Sequence, residues 1–396
     1  VKYLILVGDG MGDYPMEELG GKTLLQAAKT PNMDILASQG MLGLAQTVPQ
    51  GMPPGSDVAN MSLMGYDPKT YHTGRSPIEA AAVGIELGPE DVSFRCNLVT
   101  LAHEGNKTIM ADYACGHIDD QSAAQIIATL EKDLGGGDIH FYAGQSYRHL
   151  VIWKKGPLKA VTAPPHDYSD QTVDHLLNEG GETLPLVEFT KKSWPLLESH
   201  PVNRARAEKG EHQANSIWLW GQGTQPTLPK LSVTGFTVSA VNLVKGLGIM
   251  AGLEAFEVAG ANGWLDTNYE GKVKATLEGL KDRDLGFLHV EAPDETGHGG
   301  ILSEKIQAIE LFDEKVVGPV MAGMKGLGHH RVLLATDHYT PISTKTHSSE
   351  PIPFVIWDSE KIENNPKGFN EVQAEERSQG QAIPGYELME RLLGKI

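Results

Sequence analysis

Several segments of the chain end in groups that bind divalent cations. KYLILVG is followed by Asp9, and LGFLHVEAP by Asp294, with His298 four residues further on. RVLLAT is followed by Asp337 and His338, and His347 lies in the loop KTHSSEP ahead of PFVIW. Carboxylate oxygens and neutral imidazoles together suit zinc, manganese or a similar divalent ion. Three aspartates and three histidines are more than one ion takes from side chains alone. Two ions about 4 Å apart, each with three or four ligands, would use them well. A seventh group is Ser56, in PPGSDVANMSLMGYDP, where Pro53, Pro54 and Gly55 shape the approach to a serine followed by an apolar run. That serine has two readings. It caps a helix, or it is a nucleophile whose hydroxyl a divalent cation activates and whose oxygen the same cation fixes. The readings are compatible if Asp57 takes the capping role, and a helix starting here would place backbone N–H groups near an incoming anion.

Such groups meet only if the elements that carry them end side by side. KYLILV (2–7), LGFLHVEA (285–292) and RVLLAT (331–336) are continuous apolar runs that read as buried parallel strands, and PFVIW (353–357) reads as a fourth. Helical patterns lie between them, around 23–38, 57–64, 236–253, 269–281 and 303–324. Strands alternating with helices predict an α/β fold with a mostly parallel sheet. Ligands of open α/β sheets bind beyond the carboxyl ends of the strands, where all six Asp and His groups fall. The middle of the chain differs. Residues 91–105 and 140–155 read as longer, more alternating strands, with helices near 121–134 and 170–199 and polar, Pro-rich joints at 86–90 and near 200–213. We therefore expect a discontinuous core domain, 1–85 with 213–396, and an inserted second α/β domain, 86–212.

Composition narrows the partners. The 396 residues are 40% hydrophobic and 21% charged, ample for a large core. A net charge of −18 argues against nucleic acid or an anionic membrane, both of which need basic surface. An acidic chain that handles anions must concentrate its cations, or metals, at the site. Cys96 and Cys115 allow at most one bridge, which points to a reducing compartment. The apolar start VKYLILV is too short for a signal peptide, and no stretch reaches membrane length. The expectation is a cytoplasmic enzyme with its oligomeric state open.

The motifs GDGMGD, PPGSDVAN…GYDP, PDETGH, ATDH and KTHSSEPIPF, in this order, resemble the alkaline phosphatase superfamily. Within it the chain is similar to the archaeal-type, cofactor-independent phosphoglycerate mutases over nearly its whole length, including TPNMD (30–34), GRSPIEAA (74–81), HPVN (200–203) and VNLVKG (241–246). The resemblance implies an alkaline-phosphatase-like core and two divalent metal ions, Mn2+ or Zn2+, with no 2,3-bisphosphoglycerate. One ion would be held by Asp294, His298 and His347, the other by Asp9, Asp337, His338 and the nucleophile Ser56. The serine would take the phosphoryl group from one hydroxyl of the glycerate and return it to the other, interconverting 3- and 2-phosphoglycerate. The inserted domain would supply arginines that clamp carboxylate and phosphate. Arg75, Arg95 and Arg148 match the family, Arg204 and Arg206 lie in an Arg-rich segment of it, Lys272 falls on a matching lysine and Asp112 is kept.

Other positions depart from the family. Tyr113, Ala114 and His117 in DYACGHI stand where arginines are expected, and so does Trp220 in WGQG. This variant resembles a bacterial branch proposed to be homoserine kinase, whose zwitterionic substrate needs fewer arginines and tolerates aromatic walls such as Tyr113, Trp218 and Trp220. His166 and Asp167 form a further candidate acid/base pair, or a turn. The first reading is thus a mutase. The second is a homoserine kinase-type phosphotransferase on the same site, and the third a phosphatase; all three imply a small phosphorylated or hydroxylated metabolite as partner. With no GxxxxGK[ST] loop, any use of ATP would pass through the metal site. A binding module without catalysis would have no need of all seven groups.

Overall fold

The computed structural model describes residues 1–364 and 368–396. Its strands, in chain order, are β1 Lys2–Gly8, β2 Met41–Gln46, β3 Asp91–Glu104, β4 Lys107–Asp112, β5 Ile139–Tyr142, β6 Arg148–Lys154, β7 Ser216–Gly223, β8 Gly235–Val238, β9 Glu254–Phe256, β10 Leu285–Val290, β11 His330–Ala335, β12 Ile352–Asp358 and β13 Ala382–Pro384. They form two compact units, 1–72 with 227–396, and 73–226. The chain passes between units at 72/73 and 226/227 rather than at the polar joints near 86–90 and 200–213. The helix Ser76–Ala82 packs on β3 and β7 and so travels with the second unit.

The first unit is built on an eight-stranded sheet ordered β13-β2-β12-β11-β1-β10-β8-β9. The continuous apolar run of β1 puts it in the middle, with Leu4, Ile5, Leu6 and Val7 fully buried between parallel neighbours β10 and β11. Register then does the positioning. Val7 pairs with His289 on one side and Ala335 on the other, so the three strands end at one level. Asp9, the helix carrying Asp294 and the Asp337–His338 pair therefore emerge side by side. Helices cover the sheet, and their apolar faces, among them Met33, Leu36, Ile309, Phe312 and Val316, close the core.

The sheet is mostly parallel, as expected, but β12 is not. It runs antiparallel to both β11 and β2. The stretch from β11 to β12 has no crossover helix, and a parallel return needs one. Two further expectations merge distinct elements. The helical pattern at 23–38 is two helices, Leu24–Ala27 and Pro31–Gln39, because Pro31 starts the second one afresh. The pattern at 236–253 begins as β8 and becomes helix only at Asn242–Ala251.

The second unit holds a five-stranded antiparallel sheet in which the long β3 pairs with β4, β6 and β7, and β5 with β6. The stretch 140–155, expected as one strand, is the hairpin β5–β6, and 170–199 breaks into short turns before the helix Leu184–Glu198. Cys96 and Cys115 are both buried free thiols. Among the described residues no helix is long and apolar enough to cross a membrane.

One buried histidine of this unit makes its stability pH-dependent. His149 on β6 accepts the Gly144 N–H at Nδ1, and its Nε2 has no partner. Burial pushes its pKa down to about 4, against weaker opposing effects from the Ser146 backbone and Asp120. The unfolded chain, with an ordinary value near 6.5, binds the proton first as pH falls. His149 therefore stabilises the fold fully above pH 6.5, and that contribution drains away as pH drops towards 4, by about 3 kcal/mol in all. His149→Asn keeps an acceptor for Gly144 and removes the titration. Urea unfolding from pH 7 to pH 4 is expected to fall more steeply for the native chain than for the variant, and parallel curves would contradict this.

Candidate metal centre

The sequence places Ser56 after two prolines and a glycine, and the structure starts a helix there, Ser56–Leu63, with Gly55 at the capping position. Ser56 is therefore not the cap. Its Oγ lies 3.1 Å from His338 Nε2. Asp57 does not cap either; its carboxylate meets His72 Nε2 at 2.7 Å. One turn on, the fully buried Asn60 donates from Nδ2 both to the Ser56 carbonyl and to Asp337 Oδ2, each at 2.9 Å. This amide ties the turn that carries the serine to the loop after β11.

The six Asp and His groups converge around that serine. His338 Nε2 is 3.4 Å from Asp9 Oδ1 and 3.5 Å from Asp337 Oδ2. Asp294 Oδ2 lies 3.2 Å from His298 Nε2, and its Oδ1 3.2 Å from His347 Nε2. The two imidazole nitrogens face each other at 3.1 Å. Asp9, Asp294 and His338 each offer a donor atom within 4.8 Å of the others, so the two halves form one cluster. All seven groups belong to the first unit.

Backbone geometry holds the cluster in place. Gly10 sits at φ +62°, where its N–H reaches Asp337 Oδ1 at 3.0 Å. A Cβ there would lie 2.5 Å from Thr340 Oγ1 and 2.7 Å from Asp294 Oδ1. Gly10→Ala thus meets a left-handed backbone and a clash together, and is expected to cost about 1–3 kcal/mol in urea unfolding; an unchanged midpoint would contradict this. Below it, the buried Lys305 ammonium donates to Gly12 O, Asp13 Oδ2 and Thr340 O, joining the loops after β1 and β11.

The electrostatics call for positive charge. Burial, with Asp337, Asp294 and Glu291 adding to it, pushes the Asp9 carboxyl well above its usual range. Burial would raise Asp294 as well, yet the His298 and His347 imidazoles beside it hold it well below the ordinary value. Asp9 Oδ1 is buried without a hydrogen-bond partner. The two facing imidazole nitrogens cannot both carry protons, so at least one ring turns a lone pair into the cluster. The edges of about 3.2 Å among Asp294, His298 and His347 are close to the separation of ligands held tetrahedrally about 2.0–2.1 Å from an ion. The donor set therefore fits divalent cations.

The remaining candidates fall in two places. Lys272 is in the first unit, fully buried, with Nζ 3.4 Å from the His289 carbonyl; burial pushes its pKa down to about 8, with Glu291 opposing. In the second unit Arg95 Nε pairs with Glu79 at 2.9 Å, and its guanidinium stacks on Trp220 at 4.3 Å. Burial pushes its pKa down to about 10. Arg75 Nε lies 3.7 Å from the same Glu79, and Arg148 stacks on Tyr147 at 5.0 Å. Asp112 accepts from Ala114 N, Gly116 N and His212 Nδ1, and so shapes the turn that follows it. Arg206 is buried, with its donors taken by Cys115 O, His212 O and Glu211. Arg204 is exposed. His166 stands 3.7 Å from Asp167 and packs edge-on against Tyr113 and Trp220.

The chain's relatives can now be set beside this geometry. A model of the 2,3-bisphosphoglycerate-independent phosphoglycerate mutase family matches residues 37–203. A protein of Geobacter sulfurreducens named a probable mutase of this kind is 49% identical, with both chains covered completely. The chain belongs to this family. A Methanosarcina barkeri mutase is 48% identical over 96% of each chain. Among solved structures, a Pyrococcus horikoshii protein superposes with a TM-score of 0.80 at 29% identity, covering 99% of this chain and 96% of that one. A cofactor-independent phosphoglycerate mutase from Thermoplasma acidophilum shares the fold, with a TM-score of 0.64 at 22% identity and coverage of 100% and 99%.

Within this mutase-family chain, sequence reasoning missed Asn60 and His289. Asn60 follows Ser56 by four residues in one helix, so a shared face was the available signal. His289 sits inside the apolar strand LGFLHV, where a lone polar residue in a buried run marks a group with a partner. Trp218 and Trp220, expected as pocket walls on the homoserine kinase reading, belong to a small core cluster of the second unit, with Arg95 stacked on the face of Trp220. They are buried with Val99, Leu101 and Met110, and their indole N–H groups bond Ala163 O and Asn97 Oδ1.

Proposed function

We propose that the chain interconverts 3-phosphoglycerate and 2-phosphoglycerate without 2,3-bisphosphoglycerate, through a phosphoserine formed on Ser56. The observation that carries this reading is the placement of Ser56 Oγ, 3.1 Å from His338 Nε2, on the edge of a cluster of three aspartates and three histidines. Relatives named as mutases, 48–49% identical along the chain, support the substrate. They do not favour the homoserine kinase alternative.

Asp294, His298 and His347 would hold one divalent cation, and Asp9, Asp337, His338 and Ser56 a second; manganese and zinc both suit these donors. Bound there, the cations would lower the pKa of the serine hydroxyl and offset the charge of the phosphoryl oxygens. Ser56 Oγ attacks the phosphorus in line with its bond to the glycerate oxygen. That bond breaks, the phosphoryl group passes to the serine, and the proton given up by the serine hydroxyl ends on the departing oxygen, which leaves glycerate with both hydroxyls free. Attack by the 2-hydroxyl on phospho-Ser56 breaks the Oγ–P bond, and the proton of that hydroxyl ends on Ser56 Oγ, which completes the isomerisation. Asn60 keeps the nucleophile's turn aligned with Asp337, and the start of the helix directs its positive end at the transferred group.

Arg75, Arg95 and Arg148 are the cations proposed to meet the anionic substrate. Glu79 offsets one of the three charges, which leaves the group positive. Asp112 and Arg206 act on this reading by shaping the loop at 112–117, since their polar atoms are already engaged there. A cytoplasmic location belongs to the same reading, with both thiols free and buried. Phosphorus NMR of the manganese-loaded protein with 3-phosphoglycerate tests the function. Appearance of 2-phosphoglycerate is expected, and no conversion by folded, metal-replete protein would overturn it.

A further inference from the structure

Asp9 stands between two imidazoles. Its Oδ1 lies 3.4 Å from His338 Nε2, and its Oδ2 lies 3.0 Å from Nε2 of His289, a residue outside the seven-group set. The second contact is not an ordinary hydrogen bond. Despite the short separation the ring nitrogen is not aligned to donate to Asp9, and His289 Nε2 has no hydrogen-bond partner. The side chain is fully buried, so no water compensates at its surface. A buried polar atom left in this state is unfavourable unless something else meets it.

The other ring nitrogen is firmly held. His289 Nδ1 is 3.2 Å from Ser239 Oγ, and that oxygen also accepts the Val241 N–H at 3.0 Å. Donation from Nδ1–H to Ser239, one of the two directions this contact allows, leaves the lone pair on Nε2. An imidazole fixed through one nitrogen, with the lone pair of the other turned to carboxylates, is the arrangement of a metal-binding histidine. Asp9, His289 and Asp337 each place a donor atom within 4.8 Å of the other two, all three being buried. That span suits donors arranged about 2.0–2.3 Å around one ion. The strand fixes the ring as well, because His289 pairs with Val7 in the middle of the sheet, two residues before Asp9.

We infer that His289 is a metal ligand, binding through Nε2 the cation held by Asp9 and Asp337, and that Ser239 is the residue that sets its tautomer and orientation. This inference rests on the proposal that Asp9 and Asp337 hold a cation.

The test is Mn2+ titration of the full metal-free chain, with free ion read by electron paramagnetic resonance and nitrogen coupling to bound ion read by spin-echo modulation. The native chain, His289→Asn, Ser239→Ala and Asp9→Asn are compared. His289→Asn keeps a polar group towards Ser239 but has nothing at the Nε2 position. It is expected to weaken one class of site at least about tenfold and to lose part of the nitrogen modulation, a change that a merely structural role would not produce. Ser239→Ala is expected to weaken the same site by a smaller factor, and it carries the test if the histidine variant fails to fold. Native-like affinity, stoichiometry and modulation in the folded variants, while Asp9→Asn loses a site, would overturn the role of His289 alone. A native chain that binds no Mn2+, or an Asp9→Asn variant that binds like the native chain, would instead remove the cation reading, and the inference with it.

Discussion

Ser56→Ala is expected to abolish phosphoglycerate interconversion while leaving fold and metal content nearly intact. The serine contributes one oxygen, and the helix that carries it does not depend on that oxygen. Gly55 holds the capping position, and the anchoring bonds come from Asn60 to the Ser56 carbonyl and to Asp337. Alanine keeps that carbonyl. It removes only the group 3.1 Å from His338 Nε2 that is proposed to become phosphorylated. Without a covalent acceptor the two half-reactions have no shared intermediate, so the loss is expected to exceed about a thousandfold rather than the factor of ten to a hundred of a positioning residue. Phosphorus NMR with native chain and variant side by side is the check. Retention of even about a tenth of the native rate would contradict the nucleophile assignment.

The second large effect is expected from Asp294→Asn. This substitution keeps shape and volume and removes one charge. Asp294 faces two imidazole nitrogens at 3.2 Å, and it also accepts the Thr340 hydroxyl and packs under Gly10. The amide presents N–H groups to the two imidazole nitrogens, and it loses one anionic donor of a three-member set. The cation proposed for Asp294, His298 and His347 is expected to bind at least about a hundredfold more weakly, and turnover to fall in parallel. Because the neighbouring imidazoles favour the Asp294 carboxylate, the amide is also expected to lower the stability of the metal-free protein, so metal content is read on the folded fraction. Metal analysis after gel filtration reads the effect directly as one ion fewer per chain. Two ions retained at native affinity would contradict the ligand assignment.

The convergence of the Asp and His groups was legible because it follows from local rules. Apolar runs bounded by glycine become buried strands, parallel strands end at one level, and polar residues just past those ends meet. Asp9, Asp294 and Asp337 follow that logic from three separate parts of the chain. The direction of β12 was not legible, because an apolar run looks the same in either direction and only the missing crossover helix decides it. Two strand–helix or helix–helix sequences merged for a similar reason, since hydrophobic content continues across Val238 and across Pro31 while backbone geometry changes. The role of Arg206 was hidden as well. An arginine in a cation-rich segment resembles an anion clamp until its donors are found on Cys115 O and His212 O. His289 was hidden by its own strand, where one imidazole among Leu285, Phe287, Leu288 and Val290 could as well be a satisfied core residue.

The central claim is that Ser56 carries the phosphoryl group between the two hydroxyls. Its most direct test is rapid acid quench of the manganese-loaded protein during turnover of 3-phosphoglycerate, followed by peptide mapping by mass spectrometry. The account predicts a phosphorylated peptide spanning Ser56, modified at that serine, and absent when substrate is omitted. Turnover with no phosphorylation of Ser56 at any quench time, or with the label on another residue, would contradict it.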